Sequence, residues 1–267
     1  MDSIDASPSS LERLIRRDRL VVGAGLVILT VVSWIYLAGM AGGLRSAAAQ
    51  SEMHRAMGMP EMGAWGLRQL VALCVMWSVM MVGMMVPSAS PMMLLVLGVY
   101  RQRGGDEART AAIAFIIGYL LAWTGFSLIA AVTQFALHES ALMSGEMAMR
   151  SALVAGPILL AAGIYQLLPI KGACLSHCRL PLATLAQEWR EGPKGALVMG
   201  VRHGLFCVGC CWALMALLLV VGVMNLLWVA IIAGFVLIEK LAPKGPLFGR
   251  VAGVLLIAWG CFVLIAR

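Results

Sequence analysis

Five of the seven cysteines fall into two short strings, Cys174-Leu-Ser-His177-Cys178 and His203-Gly-Leu-Phe-Cys207-Val-Gly-Cys210-Cys211. Thiolates and imidazole are the donors that soft and borderline cations such as Cu(I) and Zn(II) prefer. On a helix turning about 100° per residue, His203, Cys207, Cys210 and Cys211 occupy an arc of roughly 100°. Cys174 and Cys178 stand four apart and share a face if their segment is helical. Together the strings offer a site of four cysteines, or of three cysteines and a histidine, with His177 as a further candidate ligand. If Cys207 opens a membrane helix, the helix dipole and free N–H groups favour its thiolate. A single cysteine in an apolar run is a small hydrophobe, and Cys74 and Cys261 are read as buried packing residues. The clustered pairs also suit a thiol–disulfide protein, with Cys207 and Cys210 exchanging with Cys174 or Cys178. Their spacing matches no standard zinc-finger pattern.

Methionine supplies a second set of soft donors, 19 of 267 residues. Met53, Met57, Met59 and Met62 surround His54 within ten residues, and thioethers favour Cu(I) over harder divalent ions. Met76, Met80 and Met84 repeat at i, i+4 and i+8. Adaptable packing is the ordinary use of such a stripe; a relay between an outer methionine loop and an inner thiol site is the chemical one. There is no nucleophile with its base, no phosphate-cradling glycine loop and no pair of catalytic carboxylates, so the chain carries no enzyme signature.

The elements that must position these residues are apolar. The chain is 61% hydrophobic and 12% charged, with a mean hydropathy of +0.92, against about 45–50% and about 25% in soluble domains. It reads as an all-α, single integral membrane domain over residues 1–267, behind a polar tail over 1–19. Seven spans are expected, at about 20–40, 70–100, 110–137, 151–168, 203–221, 226–241 and 251–266. Pro87 and Pro91 should kink or break the second, with Ser88 or Ser90 bonding the freed carbonyls. Residues 41–69 read as a loop. Residues 169–194 are too polar to cross, and 182–190 form an amphipathic stretch suited to the interface. Glu239, close to Lys240 and the interface, reads as an anchor. Ala47-Ala48-Ala49 resembles a signal-peptidase site, but the preceding apolar run exceeds a signal core of about 7–15 residues, and an uncleaved anchor is expected.

Fifteen of the twenty lysines and arginines fall in alternate segments, which places the N-terminus and both cysteine strings on the cytoplasmic side and the C-terminus and Met–His loop outside. The net charge of +7 is spread singly between apolar runs. That distribution points to a lipid bilayer and away from nucleic acid.

Four strings carry a family likeness: Met76-Trp77-x-x-Met80-Met81-x-x-Met84-Met85-x-Pro87-Ser88-x-x-Pro91-Met92; Leu168-Pro-x-Lys171-x-x-Cys174-Leu-x-x-Cys178-Arg179-x-Pro181; Cys207-x-Gly209-Cys210-Cys211-Trp212-x-Leu-Met215; and Gly222-Val-Met224-Asn225-x-x-Trp228 followed by Glu239-Lys240. In this order, from about Leu70 to Pro243, they resemble a bacterial family of predicted metal-binding integral membrane proteins, a domain of unknown function. The resemblance implies a membrane location and a metal site on Cys174, Cys178, Cys207, Cys210 and Cys211. The Met–His loop lies outside it.

The expected protein is therefore a multi-pass protein of the inner (plasma) membrane that handles a soft metal ion, Cu(I) before Zn(II), in transport or delivery. Its expected partners are a metal chaperone or a membrane complex. The alternatives are a thiol–disulfide carrier and a non-catalytic accessory subunit.

Overall fold

A computed structural model describes residues 10–56, 66–103, 107–140 and 151–266. Nine helices lie among them: α1 (Ser10–Ala56), α2 (Leu67–Gln102), α3 (Ala108–Glu139), α4 (Ala152–Leu167), α5 (Pro169–Arg179), α6 (Pro181–Glu188), α7 (Gly192–Val221), α8 (Leu226–Leu241) and α9 (Gly245–Ile265). No strand occurs among the described residues. The all-α expectation holds.

Five of these helices are long and apolar enough to cross a membrane: Arg17–Gly43 within α1, then α2, α3, α7 and α9. A sixth crossing exists if α4 and α5, bent by 64° at their junction, count as one broken span. Helix α8 has 16 residues, about 24 Å at 1.5 Å per residue, against a hydrocarbon core of about 30 Å. Helix α3 shows the face pattern expected in lipid. Phe115, Tyr119 and Trp123 are buried at i, i+4 and i+8, while Ile113, Ile117 and Leu121 face outward.

Several boundaries differ from the sequence reading. Helix α1 continues to Ala56, through Ala-, Gln- and Glu-containing sequence of good helix propensity, so residues 41–56 are not loop. Helix α2 runs unbroken through Pro87 and Pro91. Proline at i leaves the carbonyl at i−4 without its N–H. Trp34 Nε1 donates to Gly83 O at 3.3 Å, and Ser90 Oγ donates to Pro87 O at 2.9 Å, so both freed carbonyls are used. Helix α7 begins at Gly192, with φ +72°, followed by proline, a start suited to a glycine and to a proline's fixed φ. It ends at Gly222, with φ +95°.

Helices α3 and α7 meet backbone to backbone. A Cβ at Gly118 would collide with Leu197 O, and one at Gly200 with Phe115 O. Small residues allow such approach where lipid offers no hydrophobic drive for helix association. At one end of the bundle Asp18 is fully buried and accepts from two guanidinium groups. Arg109 donates to Oδ1 at 2.6 and 2.8 Å, and Arg101 Nε to Oδ2 at 2.8 Å. Nearby on the same elements, Tyr100 Oη donates to Gly192 O at 3.1 Å, tying the end of α2 to the start of α7. Asp18, Tyr100, Arg101, Arg109 and Gly192 thus share that end.

Candidate functional site

Helix α7 carries Cys207, Cys210 and Cys211 in its interior. Cys207 lies 15 positions after Gly192, about 22 Å along the axis. The expectation of thiols at a helix N-terminus, aided by its dipole, is overturned: Gly192-Pro193 start the helix eleven positions before His203. All three sulfurs are buried.

Helix α5 lies across α7 and brings the first string to the second. Cys178 Sγ stands 4.0 Å from Cys210 Sγ, and Cys210 Sγ stands 3.2 Å from Cys211 Sγ. Cys178 also interacts with Cys207, and Cys207 with Cys210 and Cys211. Four thiols therefore form one group, and both members of the adjacent pair belong to it. Cys174 sits at the group's edge, half-buried, with its Sγ over the backbone of Gly209; a Cβ there would stand 2.9 Å from that sulfur. Glycine at 209 makes the room. Cys74 is half-buried and Cys261 exposed, both remote from this group in the chain; the buried reading of Cys261 fails because it lies on the outward face of α9.

Two polar side chains reach the thiols from other helices, and a third bonds the α7 backbone beside them. Lys240 of α8 is 4% exposed. Its Nζ donates to Cys207 Sγ at 2.9 Å and to Ser88 Oγ at 3.0 Å. Tyr119 Oη of α3 stands 3.1 Å from Cys207 Sγ. Tyr165 Oη of α4 donates to Gly209 O. Glu239 is no interfacial anchor: it is 1% exposed and pairs with buried Lys171, itself bonded to Gln166 Oε1. Arg179 holds the adjacent turn by donating to Glu239 O at 2.6 Å. A cavity of about 200 Å³ opens beside Gln166, Lys171, Glu239 and Arg250.

The histidines stand apart from the sulfurs in the contacts they make. His177 stacks on Phe206, with ring centroids 3.8 Å apart and planes at 12°, and its Nδ1 lies 3.0 Å from Ala173 O. His203, one turn before Cys207, is buried beside Phe115 and Tyr119, 5.9 Å from each ring centroid. Its Nδ1 has no hydrogen-bond partner among the described residues.

Met76, Met80 and Met84 are buried along one line of α2. The next residue at that spacing is Ser88, which Lys240 contacts. The stripe therefore ends, about 18 Å from its start, at Ser88, whose partner Lys240 in turn contacts Cys207. Of the proposed outer loop, Met53 and His54 fall on the backbone of α1 with side chains outside the described residues. Met57, Met59 and Met62 lie outside the described residues altogether.

Sulfurs sharing a tetrahedral ion through bonds of about 2.3 Å stand about 3.8 Å apart. The Cys178–Cys210 separation fits that value; the Cys210–Cys211 separation is shorter. Among the described residues no group of three or more His, Cys, Asp and Glu side chains is already placed to hold one ion. The thiols are gathered but not yet spread around a centre, and Lys240 Nζ takes one of the positions beside Cys207.

The sequence reading missed Tyr119, Tyr165, the contact of Ser88 with Lys240 and the inward turn of Lys171, Glu239 and Lys240. A signal for the last existed: Glu239-Lys240 follows directly on thirteen uncharged residues of α8, and ionisable groups in such a run usually have partners or functions.

A family model, PpoB2, described as copper chaperone, matches residues 74–263. That range takes in all seven cysteines and runs beyond Pro243 into α9. No curated protein and no solved structure matches the chain.

Proposed function

This chain belongs to the PpoB2 family of copper chaperones, and we propose that it is a membrane-embedded handler of Cu(I) that loads at the Cys178–Cys207–Cys210–Cys211 group and passes the ion on. The observation that carries this reading is the convergence of four thiols from two helices, three buried and Cys178 half-buried, with Cys178 and Cys210 4.0 Å apart. Thiolates select Cu(I) by softness, and Cys174 at the edge of the group offers a fifth sulfur for entry or exit. In this reading Met76, Met80 and Met84 form a thioether track toward Ser88, and the Met53–Met62 segment around His54 collects the ion outside. His203 and His177 are reserve ligands that require ring rotation.

The proposal includes a multi-pass topology in the inner membrane, with the N-terminus and the thiol group toward the cytoplasm and α4 with α5 and α8 completing a seven-element bundle. The acceptor is a metal chaperone or a membrane complex with soft ligands of its own. The copper is cargo.

Metal analysis of the detergent-purified protein after anaerobic Cu(I) loading tests the assignment. Wild type should hold copper stoichiometrically, and Cys207→Ser with Cys210→Ser should lose it. Equal copper in both would sink it. Thiol trapping separates the competing redox reading: a carrier would show an exchangeable disulfide, whereas a loaded metal site shows thiols shielded until a chelator is added.

A further inference from the structure

We propose that the cavity beside the Lys171–Glu239 pair binds one anionic phospholipid, with its phosphate at Arg250 and its hydroxylated headgroup on Gln166 and Glu239. The inference rests on the membrane setting of the proposed topology and is independent of the copper reading. The cavity holds about 200 Å³, below the about 300–1,000 Å³ of a pocket for a drug-sized ligand, so it takes a headgroup and leaves the rest of the lipid outside. Two side chains that line it are almost fully buried, Gln166 at 5% and Glu239 at 1% exposure. Lysine only donates, so Lys171 Nζ takes Gln166 Oε1 and Glu239 Oε1 as its acceptors. That leaves Gln166 Nε2 and Glu239 Oε2, which are buried and have no hydrogen-bond partner among the described residues. Unsatisfied buried groups are costly, and here they are one donor and one acceptor beside a cavity. A hydroxyl, which both accepts and donates, satisfies the two together.

Charge selects the rest of the ligand. Glu239 offsets Lys171. Arg250 is exposed, lines the same cavity and forms no ion pair among the described residues, so the site keeps a net positive charge. Pro169 opens α5 after the bend from α4, Pro246 stands in the first turn of α9, and both helix starts border the cavity. Their dipoles add positive potential that favours a phosphate, and guanidinium to phosphate is a strong, charge-assisted pairing. A Cβ at Gly249 would collide with Glu239 Oε1, so glycine there lets the carboxylate lie against α9. Leu167 and Leu168 also line the cavity and are exposed, an apolar surface that suits acyl chains better than a water-soluble phosphate ester. A zwitterionic lipid offers the same phosphate, but its ammonium cannot accept from Gln166 Nε2 and meets the net positive charge. Phosphatidylglycerol, an anionic phosphodiester with a hydroxylated headgroup, meets every requirement.

Native mass spectrometry of the full-length protein in non-ionic detergent tests this, with phosphatidylglycerol, phosphatidylethanolamine and glycerol 3-phosphate added in separate arms. Wild type should retain one phosphatidylglycerol per chain, about tenfold or more tighter than phosphatidylethanolamine. Arg250→Gln should weaken phosphatidylglycerol by about tenfold, the scale of one hydrogen bond to a charged group, while its size-exclusion profile stays as in wild type. Equal retention of the two lipids by wild type, or unchanged retention by Arg250→Gln, would overturn the site and leave the cavity to water. Glycerol 3-phosphate bound as tightly as the lipid would overturn the lipid assignment in favour of a soluble phosphate ester. The comparison of lipids needs no variant and stands even if Arg250→Gln fails to fold. Recovery of the protein from the aqueous fraction without detergent would instead remove the membrane setting on which the inference rests.

Discussion

Across the seam between α5 and α7, Cys178 Sγ faces Cys210 Sγ at 4.0 Å, joining residues 32 apart in the chain. A disulfide needs about 2.05 Å between sulfurs, so small rotations close the gap. A variant retaining only Cys178 and Cys210 should form an intramolecular disulfide under mild oxidation, seen by alkylation and mass spectrometry. A variant retaining only Cys74 and Cys261 should not. Prior loading with Cu(I) should block the bridge.

The Lys171–Glu239 pair is buried on both sides. Breaking such a pair leaves an unpaired charge and costs about 3–5 kcal/mol, whereas replacing both partners by apolar residues is often neutral. Thermal unfolding in detergent should therefore rank Lys171→Met and Glu239→Met far below wild type and the double substitution close to it. Two additive losses would show that the pair contributes no coupling.

Asp18 is pinned by Arg101 and Arg109 with no exposure of its own. Asp18→Asn should lower stability by about 1–2 kcal/mol, since Arg109 is 46% exposed and can turn to water, measured as a drop in Tm. Copper stoichiometry should not follow, because Asp18 lies at the Tyr100–Gly192 end and the thiols lie about 22 Å along α7 from Gly192.

Gly200 admits no Cβ without collision with the backbone of α3, whereas Gly172 on α5 has open space around it. Gly200→Val should abolish the folded monodisperse protein on size-exclusion chromatography, while Gly172→Ala leaves it intact. A well-folded Gly200→Val would mean that α3 and α7 are not held at this distance.

Met76, Met80 and Met84 separate packing from conduction. Leucine in their place keeps volume and should cost less than about 1.5 kcal/mol per site. If the stripe carries copper, the triple leucine variant should load more slowly in stopped-flow mixing while its final Cu(I) affinity stays unchanged. Equal loading rates would assign the stripe to packing alone.

The thiol arc on α7 was legible because helical period alone decides which residues share a face, and His203, Cys207, Cys210 and Cys211 obey it. The meeting of α5 with α7 was only partly legible: i, i+4 spacing gave a face to Cys174 and Cys178, but no local pattern says which helix a face meets. The start of α7 was misread because Lys194 and Arg202 look like loop residues. They are carried on the helix, where Arg202 pairs with Glu188 of α6 at 3.0 Å. Lys240 was misread for a related reason. Its charge was counted toward topology, while the partner that draws it inward, Cys207, lies 33 residues away and carries no formal charge to suggest the pairing.

The short length of α8 bears on how the protein is made. At 16 residues, about 24 Å, it is shorter than a hydrocarbon core of about 30 Å; it packs against α2, α7 and α9. Ribosomes deliver about 5–20 residues per second, so Cys178 precedes Lys240 by about 3–12 s and Cys207 by less. During that interval Cys207 lacks the ammonium that contacts it in the complete bundle. Completion of the thiol group therefore waits on α8, a matter of synthesis rate and not of equilibrium affinity.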